Sequence, residues 1–399
     1  MTAREVRPLP VPGGDATLGL LPILRRALDG EGPVLLPFSA DASGPDDRLT
    51  RPLVVGEDDA DDPTVLVMST SGSTGSPKGA LLSRSAVLAS AGATNTRLGG
   101  PGTWLLALPA HHIAGTQVLV RSLLAQTTPV MLDLRDGFSP NGFAAATEEL
   151  NLRSDSGPRY TALVPTQLYR VLEAGRDALD ALTTYDAVLV GGAAMSTTSI
   201  ERAEDAGVAV VTTYGMSETC GGCVYDGRPL GGVWWRTEDD GRVEITGEVL
   251  ARGYHGRPDD PAFRTDPDGT RWFRTDDIGE AGDDGALRIL GRYDDVIVTG
   301  GLKVAPSVVE AAIDGHAEVA EVAVVGVPDE DWGQRVVAVV VPRDGAVELA
   351  GLQRRVADVV ASYAAPRQLV VVDKIPLLGP GKPDRAALRS LAVAANDGR

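Results

Sequence analysis

Between residues 64 and 215, short apolar runs alternate with segments in which apolar residues recur at the helical period. The runs at 65–67, 104–108, 129–132, 161–164, 187–190 and 208–211 predict strands, and the segments at 83–96, 115–124, 138–150, 166–173 and 197–205 predict helices. Strands alternating with helices predict a parallel-rich sheet under a layer of helices, with ligands held beyond the strands' C-terminal ends. From 220 to 290 the helical period disappears. Short strands at 242–246, 272–274 and 286–290, set apart by Gly and Asp, predict a small antiparallel barrel or sheet. After Gly291 the pattern changes again. Helices at 305–313 and 349–361 with strands at 319–327, 336–341 and 369–372 predict a compact α+β unit. Residues 1–62 are rich in Pro, Gly and Asp and hold one short helix, 18–28. The expected fold class is α/β. A large N-terminal domain of layered parallel-rich sheets, helices and a small β-barrel-like part spans 1–291, and a smaller α+β domain spans 296–399.

Composition narrows the partners. The chain has 399 residues and a net charge of −18, which argues against nucleic acid and anionic membranes. No apolar run approaches the roughly 20 residues of a membrane helix. Residues 1–20 show no basic segment followed by an apolar core, so no signal peptide is expected and the protein is expected in the cytoplasm. Lysine is scarce: Lys78, Lys303, Lys374 and Lys382 are the four. Cys220 and Cys223 form a C-x-x-C, which invites a redox or zinc reading. Zinc usually wants four ligands and no other cysteine exists, so packing in the core or a pocket wall is expected instead. The oligomeric state is left open, a homodimer included.

The segment from Met68 to Gly79 carries the strongest chemistry. Ser69, Thr70, Ser71, Gly72, Ser73, Thr74 and Gly75 follow a strand-like run, and Lys78 follows them. A strand, a Gly/Ser/Thr loop and then a helix from Ser83 would present backbone N–H groups and hydroxyls to phosphate, with Lys78 adding positive charge. A Walker loop is excluded. Counting from Gly72, Pro77 stands where its second Gly belongs, and Gly79 where the magnesium-binding hydroxyl belongs.

Further motifs follow in order: Gly191-Gly192-Ala193, then Thr213-Tyr214-Gly215-Met216-Ser217-Glu218-Thr219, then Arg274-Thr275-Asp276-Asp277. After these come Gly291-Arg292-Tyr293-Asp294-Asp295, Gly300-Gly301-Leu302-Lys303-Val304 and Pro380-Gly381-Lys382-Pro383. With the loop at 69–79, this ordered set resembles the adenylate-forming family of acyl-CoA synthetases, luciferases and adenylation domains. One departure stands out. The family usually has Gly at Asp276, which makes Asp277 the counterpart of its ribose-binding acid.

The resemblance implies two half-reactions. A carboxylate attacks the α-phosphorus of ATP, giving an acyl-adenylate and pyrophosphate. A thiol, that of coenzyme A, then attacks the adenylate carbonyl, giving a thioester and AMP. It implies that Lys382 bridges the carboxylate and the α-phosphate, and that Glu218 is the Mg²⁺ partner. Tyr214 and the Gly191-Gly192-Ala193 backbone flank adenine, while Asp277 and Arg292 hold the ribose. It also implies that 292–295, centred on Asp294, is a hinge for a mobile C-terminal domain. In a second pose that hinge brings Gly300, Gly301 and Lys303 to the site.

The acid is read from three residues. His112 follows Pro109-Ala110-His111, where the family has an acyl-pocket motif, and is otherwise an ordinary buried histidine. Arg121 lies on a helix that is apolar nearly all round, so it needs an anion. That anion is either a structural carboxylate or a second carboxylate on the substrate. Thr166 lies in Val164-Pro165-Thr166-Gln167. This segment and His111-His112-Ile113-Ala114-Gly115 resemble the o-succinylbenzoate–CoA ligases of menaquinone biosynthesis, a compact subfamily with a dicarboxylate substrate. Another aryl- or acyl-CoA ligase, and an inactive nucleotide-binding module, are the alternatives.

Overall fold

The computed structural model describes residues 4–54, 56–70, 77–153, 157–195, 197–343, 345–378 and 382–397, with the backbone alone at 197, 378, 382, 396 and 397. The chain forms two compact units. One comprises residues 1–192, 203–236 and 244–275, and the other comprises 193–202, 237–243 and 276–399.

The first unit opens with a sheet that the sequence concealed. Strands β1 (Val6–Val11), β2 (Val34–Ser39), β3 (Thr64–Thr70) and β4 (Lys78–Ser83) lie side by side in that order. Pro8 and Pro10 break the strand pattern of β1. They are tolerated because β1 is the sheet edge, where a missing N–H leaves no ladder bond unmade. Val6, Val34, Leu36, Val67 and Leu81 form one buried face of this sheet, and Leu35, Leu66, Met68 and Leu82 are buried on the other. The predicted helix 18–28 is a 3₁₀ segment, Gly14–Leu20, followed by helix α1, Leu21–Leu28.

β4 corrects the expected phosphate loop. The chain does not pass from the loop into a helix. It turns back into β4, antiparallel to β3, with Thr70 opposite Lys78 and Ser69 opposite Gly79. Helix α2 (Arg84–Arg97) starts at the far end of β4, where the Ser83 hydroxyl accepts from the Ala86 N–H. Its N-terminus is therefore one strand length away from the loop. The loop residues Ser71, Gly72, Ser73, Thr74 and Gly75 lie outside the described residues.

The predicted alternation then appears: β5 (Thr103–Leu106), α3 (Ile113–Ala125), β6 (Val130–Met131), α4 (Pro140–Arg153), β7 (Arg159–Leu163), α5 (Pro165–Glu173), α6 (Arg176–Leu182), β8 (Ala187–Gly191), α7 (Thr197–Asp205) and β9 (Val210–Met216). Helix α6 is an addition to the expected set. The strands stand in the order β9-β8-β7-β5-β6 and are parallel. Two antiparallel strands, β10 (Gly221–Tyr225) and β11 (Arg228–Pro229), extend the β9 edge. Trp104, Leu105, Tyr160 and Val188 are fully buried, as expected where helices cover the sheet.

The antiparallel region contains β12 (Val233–Thr237), β13 (Arg242–Gly247), β14 (Phe263–Thr265), β15 (Arg271–Ala281) and β16 (Leu287–Arg292). In the first unit β14 pairs with the early part of β15, and in the second unit β16 pairs with its later part.

The second unit continues with β17 (Ile297–Thr299), β18 (Leu302–Val304), α8 (Pro306–Ile313), β19 (Val319–Asp329), β20 (Gly333–Pro342), α9 (Leu349–Val359), β21 (Gln368–Val371), β22 (Leu377–Leu378), β23 (Lys382–Pro383) and α10 (Arg385–Asp397). The unbroken apolar run in β20 has a direct cause. Val336, Ala338 and Val340 pack with Val309, Leu352 and Val356, while Val337 and Val339 pack on the opposite face with Leu388 and Ala392. A strand buried on both faces has no position left for polar side chains.

Candidate active site

In the first unit, β4 and the segment 251–255 bring the phosphate-loop lysine and the candidate metal ligand together. His255 N–H donates to the Gly79 carbonyl at 2.8 Å and Leu81 N–H to the Gly253 carbonyl at 2.9 Å. This pairing places Tyr254 between the two groups. Its hydroxyl donates to Glu218 Oε1 at 2.6 Å, and Lys78 Nζ lies 4.4 Å from its ring centroid. Lys78 is also paired with Asp260 at 3.2 Å. The turn is fixed from behind by His255, whose ring contacts Glu57 at 3.1 Å and the Arg51 carbonyl at 2.9 Å. Tyr254 and Asp260 carry no signal in the sequence. One sits in a short irregular stretch and the other in a Pro/Asp turn.

Glu218 is 7% exposed and follows β9 in a single 3₁₀ turn. Thr219 holds that turn by accepting from the Met216 N–H at 3.0 Å and donating to the Gly221 carbonyl at 2.7 Å. A buried carboxylate is the hard oxygen donor that Mg²⁺ takes, and one or two such groups plus phosphate oxygens suffice. The residues fit the ion.

The ends of β8 and β9 are shaped for close approach. Gly191 faces Thr213 in the ladder, and a Cβ on Gly191 would lie 2.2 Å from Thr213 Oγ1. On Gly215 it would lie 2.1 Å from the Gly221 carbonyl. Gly192 turns the chain at φ +84°. Thr213, Tyr214, Gly215 and Met216 end β9, and Ser217 begins the turn that carries Glu218. Ala193 belongs to the second unit.

Next to this edge, His112 caps α3, and its ring centroid is 4.3 Å from that of His111. Gly115 is required here, since a Cβ would lie 2.4 Å from the Pro109 carbonyl. Burial and the neighbouring His112 ring push His111 down to about 4, against a smaller pull from Asp41, and burial also lowers His112. Both rings are thus neutral hydrogen-bonding groups at pH 7. The unfolded chain takes up the His111 proton near 6.5 and the folded chain only near 4. Stability is therefore lost as pH falls through that window. Thermal melting of His111→Gln is expected to show a shallower slope between pH 6.5 and 4 than the parent. Equal slopes would contradict a depressed His111.

Gln117 and Arg121 share one face of α3. Gln117 Nε2 donates to the Cys220 carbonyl at 2.8 Å, which the Ser90 hydroxyl also reaches at 2.9 Å. Arg121 is 3% exposed, with its guanidinium 5.1 Å from the Trp104 ring centroid. Its Nε has no hydrogen-bond partner, and burial pulls its pKa down against a weaker effect of Tyr225. Among the described residues no carboxylate forms an ion pair with Arg121, so no structural counter-charge is found for it there. Thr166 is half-buried in the first turn of α5, beside Gln167, which bonds the Ala107 carbonyl at 2.9 Å.

Cys220 and Cys223 are fully buried and unpaired. Burial pushes both thiols up, Cys223 to about 12, as expected of packing residues and unlike a redox pair.

In the second unit, Asp277 faces Arg292 across the β15–β16 ladder, with 3.6 Å between carboxylate and guanidinium. Arg292 also meets Asp276 at 3.3 Å and Asp294 at 3.9 Å. Asp276 has a second cation, Arg242 at 3.5 Å. Gly300 and Gly301 form the β17–β18 turn, and a Cβ on Gly300 would lie 2.9 Å from the Trp332 ring. Lys303 is exposed beside that turn. Lys382 opens β23, opposite Leu378.

The AMP-binding enzyme family matches residues 25–254, and the AMP-binding enzyme C-terminal domain matches 308–382. The chain belongs to the AMP-binding enzyme family. A Mycobacterium tuberculosis protein described as a probable 2-succinylbenzoate–CoA ligase is 47% identical over 96% of this chain and 97% of its own length. A 2-succinylbenzoate–CoA ligase of Listeria monocytogenes is 30% identical, over 82% of this chain and 70% of that protein. Among solved structures, the o-succinylbenzoate CoA synthetase MenE of Bacillus subtilis, in complex with its acyl-adenylate OSB-AMP, shares the fold. Its TM-score is 0.70 and its identity 24%, covering 94% of this chain and 81% of that one.

Proposed function

We propose that this chain is an ATP-dependent, AMP-forming acid–CoA ligase whose acid is 2-succinylbenzoate, the step to its CoA thioester in menaquinone biosynthesis. Family membership and the M. tuberculosis relative support the class. The observation that carries the choice of acid is the M. tuberculosis relative, 47% identical over 96% of this chain. Arg121, a buried guanidinium with no ion pair among the described residues, is the candidate contact for the second carboxylate. A dicarboxylic acid activated at one carboxylate would supply the missing charge with the other. His112 and Thr166 would line the acyl site.

In the first half-reaction a substrate carboxylate oxygen attacks the α-phosphorus, and the bond to the bridging oxygen of pyrophosphate breaks. Lys78 and the loop around Ser69 and Thr70 would hold the phosphates, and Lys382 the reacting oxygens. Mg²⁺, held by Glu218, would supply charge neutralisation when bound. Tyr214, beside the glycine-lined ends of β8 and β9, would flank adenine. Asp277 and Arg292 would hold the ribose diol, one accepting and one donating. In the second half-reaction the CoA thiol attacks the adenylate carbonyl and AMP leaves. Residues 292–295 would be the hinge, and Gly300, Gly301 and Lys303 would serve the thioester step. Among the described residues no helix is long and apolar enough to cross a membrane, and a cytoplasmic site of action is part of the proposal.

The test is a panel of acids assayed with CoA by thioester absorbance and without CoA by ATP–pyrophosphate exchange. 2-Succinylbenzoate is expected to turn over best. Turnover of a monocarboxylate alone would overturn the substrate, and an absence of exchange with every acid would overturn the class.

A further inference from the structure

The second unit contains an ionic network whose two ends are the turn around Asp294 and the root of the Lys382 loop. Asp295 uses both carboxylate oxygens on one helix face. Oδ2 meets Arg385 Nε at 3.1 Å and Oδ1 meets Arg389 Nη2 at 3.1 Å. Those arginines are four residues apart on α10, which begins three residues after Lys382. Arg385 also pairs with Glu310 of α8 at 3.0 Å and donates to the Val324 carbonyl of β19. Glu310 accepts from the Val324 N–H at 2.7 Å.

The network divides into two arms with different work. The Glu310–Arg385–Val324 arm joins α8, α10 and β19, of which β19 already packs with α8 in one apolar core and with α10 in another, and is adequate as packing support. The Asp295 arm reaches a turn that has no buried residue of its own, Tyr293–Asp295. Tyr293 is half-buried under the Arg242 guanidinium, 3.7 Å from its ring centroid, and the turn's attachment to α10 is the Asp295 ion pairs. At the other end Lys382 is held by a two-pair ladder, Leu377 with Pro383 and Leu378 with Lys382. Asp384 follows, capping α10 by accepting from the Ala387 N–H at 3.0 Å and bonding the Pro376 carbonyl at 2.8 Å. Lys382, Pro383 and Asp384 thus lead directly into the helix that Asp295 grips.

We propose that Asp295 is a positioning residue: its double ion pair to Arg385 and Arg389 locks the hinge turn to the base of the Lys382 loop. A rotation at Asp294 then delivers the lysine in one fixed place. This deepens the reading of Lys382 and Asp294 given above and rests on it. Positioning errors of about 1 Å can cost on the order of 10²-fold in rate. A loosened strut should cost less, because the ladder and cap remain.

Asp295→Asn in the full chain is expected to slow acyl-adenylate formation 10- to 30-fold in kcat with KM for ATP unchanged. Thioester formation from supplied acyl-adenylate is expected to change less than threefold. Asp295→Glu should recover part of the loss. Glu310→Gln, in the packing arm, should lower the melting temperature without separating the half-reactions. If Asp295→Asn does not fold, Arg389→Gln removes one of the two bonds at a more exposed position and should show a smaller split in the same direction. Equal slowing of both half-reactions, or an unchanged adenylation rate, overturns the strut. Lys382→Ala run alongside separates the failures. If it leaves adenylation intact the reading of the lysine fails, and if it abolishes adenylation while Asp295→Asn does nothing, only the strut fails.

Discussion

Lys382→Ala is expected to slow acyl-adenylate formation by at least 10²- to 10³-fold, roughly the cost of removing one preorganised charge-stabilising donor, while thioester formation from supplied acyl-adenylate is largely spared. The asymmetry follows from the charges. In the first half-reaction an anionic carboxylate approaches an anionic triphosphate, and negative charge accumulates around the α-phosphorus. A compact ammonium on a flexible stem offsets that repulsion and aligns both oxygens. In the second half-reaction a thiol meets the neutral carbonyl of a mixed anhydride whose leaving group, AMP, is already a good one. No like-charge approach has to be overcome. ATP–pyrophosphate exchange reads the first step, and thioester absorbance with supplied adenylate reads the second. Equal losses would assign Lys382 to the fold or to general binding.

Much of this was legible because side-chain period and burial are coupled. The run Val336–Val341 reads as a strand, and it lies in β20, which is covered on both faces. The motifs singled out Asp277 and Arg292 for the ribose, but that the β15–β16 ladder sets them opposite each other was not legible. Other elements were hidden for physical reasons. β1 contains two prolines, which are permitted only because it is an edge. β4 is a short apolar run next to a helix, where periodicity cannot separate strand from helix. That ambiguity turned the expected loop-to-helix connection into a hairpin. The partners of Lys78 were out of reach for a different reason. Asp260 lies 182 residues downstream, and Tyr254 reaches Glu218 only because β4 pairs with segment 251–255. Such contacts are set by tertiary pairing and leave no local pattern.

Arg121→Leu is expected to lower activity steeply while leaving stability nearly unchanged. A guanidinium that is 3% exposed and lacks an ion pair among the described residues carries a desolvation cost without a compensating partner. Replacing buried charge by an apolar side chain of similar bulk is often neutral or stabilising by about 1–4 kcal/mol. The contact with Trp104, 5.1 Å from the ring centroid, is worth about 2 kcal/mol when desolvated, so the two effects nearly cancel and the melting temperature should hold. Activity should fall steeply. If the second carboxylate of 2-succinylbenzoate meets Arg121, the variant leaves that carboxylate desolvated and unpaired. Losing one partner of such a pair costs about 2–5 kcal/mol, on the order of 30- to 5,000-fold in kcat/KM. A matched monocarboxylate lacking the aromatic acid should be handled almost equally by parent and variant, because neither places a charge beside position 121. The decisive quantity is the ratio of kcat/KM for the two acids. A collapse of that ratio in Arg121→Leu, with melting temperature held or raised, is the expected result. A proportional loss for both acids, or a lower melting temperature with the ratio intact, would make Arg121 a structural residue and not the contact for the second carboxylate.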